Sequence, residues 1–129
     1  MERFKQRRED FNNALERLEE SIIEEPTDII IDGCLHRFEF TFELAWKTIK
    51  DYLEYMGVVE KTGSPREIIQ NGFKQGIIED GEGWIDMMLS RNSLSHLYDE
   101  KESRKIYNNI KNQHLQLLKN LKVKLAEVI

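Results

Sequence analysis

Apolar residues recur along this chain at intervals of three, four and seven, the spacing of one face of a helix. Phe4, Phe11, Leu15, Leu18 and Ile22 form the first such stripe, with Arg, Glu, Asp and Asn between them. The pattern predicts an amphipathic helix over residues 3–25. Glu24-Glu25-Pro26 ends it, because the residue before a proline avoids the helical region. Asp28 is the expected cap of a second helix, residues 29–56, with the stripe Leu35, Phe38, Phe42, Ala45, Ile49, Tyr52 and Met56. Phe40, Leu44, Trp46 and Leu53 add apolar bulk on its other faces, so this helix should lie at the centre, covered by its neighbours or by a second copy. Gly57 is placed to cap its C-terminus.

Ser64-Pro65-Arg66-Glu67 is a helix start: Ser64 caps, Pro65 takes the first helical position and Glu67 completes a capping box. The third helix runs to Lys74, with Gly76 past its end. A fourth starts near Gly83 and carries Trp84, Ile85, Met87, Met88 and Leu89. A fifth spans residues 100–128, with Ile106, Ile110, Leu117, Leu121 and Val128 on one face and His114 inside the stripe. No alternation of the strand type is present. The expectation is an all-α, up-and-down bundle of about five helices, one domain over residues 1–129.

Composition agrees with that pattern. Two prolines and seven glycines in 129 residues leave room for few turns. The net charge of −5 gives no global basic field for nucleic acid or an anionic membrane. The charge is uneven: residues 1–98 carry 12 Lys or Arg and 20 Asp or Glu, whereas residues 99–129 carry 7 and 4. Any anion site is therefore local. The lone cysteine, Cys34, excludes an intrachain disulfide, fits a reducing compartment and reads as a small core residue. The charged N-terminus and the lack of a long apolar run predict a cytoplasmic protein with no membrane span. Neither a His/Cys cluster, an Asp-rich loop, nor a phosphate-cradling glycine loop is present, so no metal and no cofactor is expected.

The chemistry concentrates in Arg91-Asn92-Ser93-Leu94-Ser95-His96-Leu97-Tyr98. Arg91 supplies a bidentate fork for phosphate oxygens. His96 takes or gives a proton near neutral pH. Tyr98 offers a hydroxyl that can accept a transferred group. The bland alternative is a helix end with an exposed arginine, a capping serine and a half-buried histidine. Five residues separate Arg91 from His96, about 140° around a regular helix, so convergence requires the helix to end, bend or tighten between them. Asn92, Ser93 and Ser95, weak helix formers, permit that. RNA cleavage by such a set needs a base, an acid and a cation, and one chain offers one motif histidine. A two-fold homodimer with both motifs across one cleft supplies the rest, helix 2 being the candidate interface. Glu43 lies one turn from both Glu39 and Lys47; it is either half of an internal ion pair or a carboxylate that orients Arg91 or His96. His36 and His114 read as half-buried helix residues, and Asp80, Glu82 and Asp86 as a solvated acidic turn.

Three stretches resemble one family: Arg37-Phe38-Glu39-Phe40-Thr41-Phe42-Glu43-Leu44-Ala45-Trp46-Lys47, Ser64-Pro65-Arg66-Glu67, and Arg91-Asn92 through His96-Leu97-Tyr98-Asp99. They are similar to the HEPN superfamily, and within it to the helical subunits called nucleotidyltransferase substrate-binding proteins. The resemblance implies a four-to-five-helix bundle, a homodimer and a separately encoded minimal nucleotidyltransferase as partner. It matches Arg91 and His96 to a ribonuclease pair, Asn92 to the polar residue that often follows the arginine, and Tyr98 to a tyrosine that the partner adenylylates in related toxin–antitoxin pairs. The leading expectation is thus the metal-independent ribonuclease toxin of such a pair, acting on RNA. The alternative is a non-catalytic subunit that presents a nucleotide or other acceptor to the transferase.

Overall fold

Four of the predicted helices form with ends within a few residues of their expected places, and the reasons for each shift are local. The computed structural model describes residues 1–58 and 63–128. Helix α1 spans Glu2–Ile22, α2 Asp28–Tyr55, α3 Pro65–Lys74 and α4 Gly81–Ser93. The fifth predicted helix is divided: α5 covers Glu100–Asn109, a π-helical turn covers Ile110–His114, and α6 covers Leu115–Glu127. No strand occurs among the described residues.

Side-chain caps set the starts. Thr27, not Asp28, caps α2: its Oγ1 accepts the Ile30 amide at 3.3 Å, and Asp28 becomes the first helical residue. Ser64 Oγ accepts the Glu67 amide at 3.3 Å at the start of α3, with Pro65 in its first turn. Helix α4 begins earlier than expected because Asp80, read from sequence as a solvated acid, accepts the Gly83 amide at 2.9 Å. Two glycines close the other ends. Gly57 (φ 74°) and Gly76 (φ 81°) take the left-handed conformation. The following amides, of Val58 and Ile77, reach back to the carbonyls of Leu53 and Gly72 at 2.9 and 3.0 Å. Both are Schellman closures, which need a residue without a Cβ penalty at positive φ.

Helix α2 is the hub and touches every other helix. Phe38, Phe42, Ala45, Ile49 and Leu53 are buried in the shared core, Phe42 beside Trp84 of α4. Its outer end departs from the expected stripe, for Met56 is exposed and Tyr52 only half-buried. Most of the apolar face offered as a dimer interface is thus covered within the chain, leaving Phe40 and Leu44 half-buried. On α1 all five predicted stripe residues are buried. On α6 the π turn shifts the stripe: Leu118, Leu121 and Leu125 are buried, while Leu117 and Val128 lie only partly inside. One extra residue in that turn rotates everything after it.

Polar side chains tie the helices at their margins. Arg8 donates to the Leu125 carbonyl at 2.8 Å, Arg37 to the Arg17 carbonyl at 2.6 Å, and Arg104 to Asp28 at 2.9 Å. Asp51 is buried beside Arg7 at 3.2 Å, and burial pushes its carboxyl above the usual range despite that guanidinium. Cys34 is fully buried, as expected of a core thiol. No helix among the described residues is long and apolar enough to cross a membrane.

Candidate active site

The C-terminal end of α4 holds the predicted residues. Arg91 sits in its last turn, and the regular helix stops at Ser93. Serine hydroxyls then compete with the helical ladder: Ser93 Oγ donates to the Leu89 carbonyl at 2.9 Å, and Ser95 Oγ to the Asn92 carbonyl at 3.0 Å. Residues Leu94–His96 tighten into a 3-10 turn, and Leu97 is extended. The helix thus tightens between Arg91 and His96, but without bringing the two side chains together. Tyr98 follows on the outside, 86% exposed, its amide donating to Glu102 at 3.1 Å. Asp99 restarts the helix by capping α5 through the Glu102 amide at 2.9 Å.

Arg91 and His96 face different neighbours. Arg91 turns to α2: Nη2 donates to Glu43 Oε1 at 2.9 Å, while Glu43 Oε2 lies 3.4 Å from Lys47. One carboxylate therefore contacts both the neighbouring lysine and the arginine. The pair is about one-third exposed, which leaves the outer edge of the guanidinium accessible, and Arg91 Nε is buried without a hydrogen-bond partner. His96 is exposed and lines a cleft between α4 and the α5–α6 segment, a cleft that Arg91 does not line. Among the described residues nothing joins the two side chains directly. Asn92 is exposed on the same turn, where its backbone carbonyl holds Ser95. One chain thus displays a restrained cation and an accessible acid–base group around one helix end, with the tyrosine hydroxyl beyond them.

The structure adds a residue pair that sequence reasoning did not assemble. His114, in the π turn, is 1% exposed, stacked on Phe38 at 5.7 Å between ring centroids, with Nε2 2.9 Å from Ser90 Oγ. Its Nδ1 has no partner. Burial lowers the imidazole pKa from 6.5 to about 4 against a smaller opposing pull from Asp86, so the ring is neutral at physiological pH. Expected to be half-buried, it is fully enclosed; the partner on α4, 24 residues away, had no local signal. His36, expected to be half-buried, is exposed beside Phe40. Among the described residues no group of three or more His, Cys, Asp or Glu side chains is arranged to hold a metal ion.

Residues 6–127 match the family described as nucleotidyltransferase substrate binding protein like. The chain belongs to this family. It is similar to the probable ribonuclease HepT of Haemophilus influenzae, 29% identical over 83 residues, 62% of this chain and 57% of that protein. The match therefore spans little more than half of the curated relative's length. A solved structure from Thermus thermophilus shares the fold with a TM-score of 0.81 at 27% identity, over 89% of this chain and 98% of that one. A second, from H. influenzae, described as revealing the fold of a substrate binding domain of a nucleotidyltransferase, has a TM-score of 0.84 at 23% identity, over 93% and 99%. The latter likeness is one of fold.

Proposed function

We propose that this protein is a metal-independent endoribonuclease, the toxin partner of a separately encoded minimal nucleotidyltransferase. The observation that carries it is the end of α4, where Arg91 is held by Glu43 and His96 stands free at a cleft. The similarity to a probable ribonuclease of this family supports the same reading. In the reaction the ribose 2′-oxygen attacks the adjacent phosphorus and gives up its proton. The bond from phosphorus to the 5′-oxygen breaks, and that oxygen takes a proton. His96 of one copy accepts the first proton and His96 of a second copy delivers the other. Arg91 neutralises charge on the non-bridging oxygens. The different directions of Arg91 and His96 within one chain favour a homodimer whose two motifs meet across one cleft.

Tyr98 is the control point. Its hydroxyl attacks the α-phosphorus of ATP, pyrophosphate leaves, and the phenolic proton passes to a base on the transferase. The product places a phosphodiester charge and a bulky base two residues from His96, where the charge pairs with Arg91 and the bulk blocks RNA. The tyrosine is accessible without unfolding. The test is incubation with the neighbouring transferase and ATP. Wild type should gain one or more adenylate masses and lose RNA cleavage, whereas Tyr98→Phe should gain none at this position and keep cutting. An unmodified Tyr98 in a neutralised complex would leave inhibition by tight binding alone. A second reading, a nucleotide- or acceptor-presenting subunit, is favoured by the description of the H. influenzae neighbour and takes over if the purified protein neither cuts RNA nor slows growth.

A further inference from the structure

The cleft that His96 lines extends well beyond it, to a volume of about 520 Å³ between α4 and the α5–α6 segment. That size suits a small organic ligand. Its walls combine two surfaces. Leu89, Leu97 and Ile106 offer apolar faces, while Ser93, Asn109 and Gln113 offer neutral donors and acceptors. Ser90 and His114 also line it, and the His114 ring is buried with Nδ1 unpartnered. A site for phosphate would gather cations, but Lys105 is here accompanied by the carboxylates of Asp86 and Glu102. Glu102 is engaged by the Tyr98 amide, whereas the exposed Asp86 carboxylate has no hydrogen-bond or ion-pair partner among the described residues and acts on the cleft's His114 only through its charge. Apolar faces flanked by hydrogen-bonding edges suit a planar heterocycle. A carboxylate with no hydrogen-bond donor on it suits the base that presents two adjacent N–H donors, which is guanine.

We infer that this cleft is a nucleobase subsite, favouring guanine, for the nucleotide next to the phosphodiester on which His96 acts. The inference rests on the ribonuclease reading for its RNA half. The π turn gives it a structural origin: the wide turn seats His114 in the cleft floor, where a regular helix would put the neighbouring side chains elsewhere. Asp86 accepts from the base edge, and Asn109 and Gln113 complete the edge contacts.

The chain has three histidines, so imidazole NMR signals report the site directly. Titration of the full chain with guanosine, adenosine, cytidine and uridine monophosphates should move the His96 and His114 signals and leave exposed His36 unchanged. Guanosine monophosphate should bind about tenfold more tightly than uridine monophosphate, by the usual worth of a carboxylate–base contact. Asp86→Asn should erase that preference, and Asn109→Leu should weaken all four, with helix content unchanged by circular dichroism. Equal affinity for all four, no movement at His114, or a preference that survives Asp86→Asn would overturn the assignment. Cuts clustered beside guanosines in RNA would support the RNA half. Guanosine monophosphate binding together with cuts that ignore the base would overturn that half and leave a free-nucleotide site. Nucleotide binding without any cleavage would sink the ribonuclease reading instead.

Discussion

At the scale of single residues, Glu43 holds two partners at once, and His114 has one that its neighbours in sequence do not announce. Glu43 restrains Arg91 through one oxygen and pairs with Lys47 through the other. Glu43→Gln should keep the fold, since a partly exposed pair contributes only about 0–1 kcal/mol. It should slow RNA cleavage by roughly tenfold, the cost of a less well placed cation, measured as kcat/KM on a defined oligonucleotide. His114 is neutral in the core. Its folded pKa lies below its unfolded value, so the unfolded chain binds the proton more tightly between pH 4 and 6.5. Stability from this group is full above pH 6.5 and is lost as pH falls toward 4. The shift corresponds to about 3 kcal/mol. Denaturant melts at pH 7 and pH 4 should show wild type losing about that much relative to His114→Phe; parallel losses in the two proteins would mean that the imidazole is not buried neutral in solution. Asp51 contributes with the opposite sign, since its raised carboxyl pKa favours the folded form on the acid side. Comparison with the variant removes that contribution. The sequence exposed Arg91, His96 and Tyr98 because their chemistry and spacing are local. It did not expose Ser90–His114 or Arg7–Asp51, which join residues 24 and 44 positions apart through folding alone.

At the scale of elements, helix starts and stops were legible wherever a short-range rule decides them. Ser64-Pro65 and the two glycines after α2 and α3 act through contacts within five residues. Gly76→Ala should destabilise the protein by about 1–2 kcal/mol, because alanine is strained in the left-handed conformation at φ 81° while its added methyl meets open space. A chemical melt in which the variant equals wild type would contradict the closure. The π turn was not legible. Periodicity over residues 106–128 suits one continuous helix, and the turn is set by how His114 packs between Phe38 and Ser90. The choice of Thr27 over Asp28 as cap also escaped the sequence, because both residues are good caps and stand side by side.

At the scale of the whole molecule, the bundle places the proposed active site at a helix end outside its core. Helix α2 holds the core together, and the turn from Asn92 to Asp99 is exposed apart from Leu94 and Leu97. Changes in that turn should therefore alter activity while leaving the fold intact. The all-α bundle was legible because periodicity reports helix faces over the whole chain. Two copies would supply the two histidines that the proposed cleavage uses. Sedimentation at micromolar concentration should show a dimer, and mixing inactive Arg91→Ala and His96→Ala chains should not restore full activity if each cut needs both copies intact. RNA cleavage in EDTA by wild type and His96→Ala, measured side by side, tests the metal-independent mechanism. Wild type should cut without added metal, and His96→Ala should be slower by about 10²–10⁴-fold with the same circular dichroism spectrum. Cleavage abolished by EDTA, or a His96→Ala protein that cuts as fast as wild type, would contradict it.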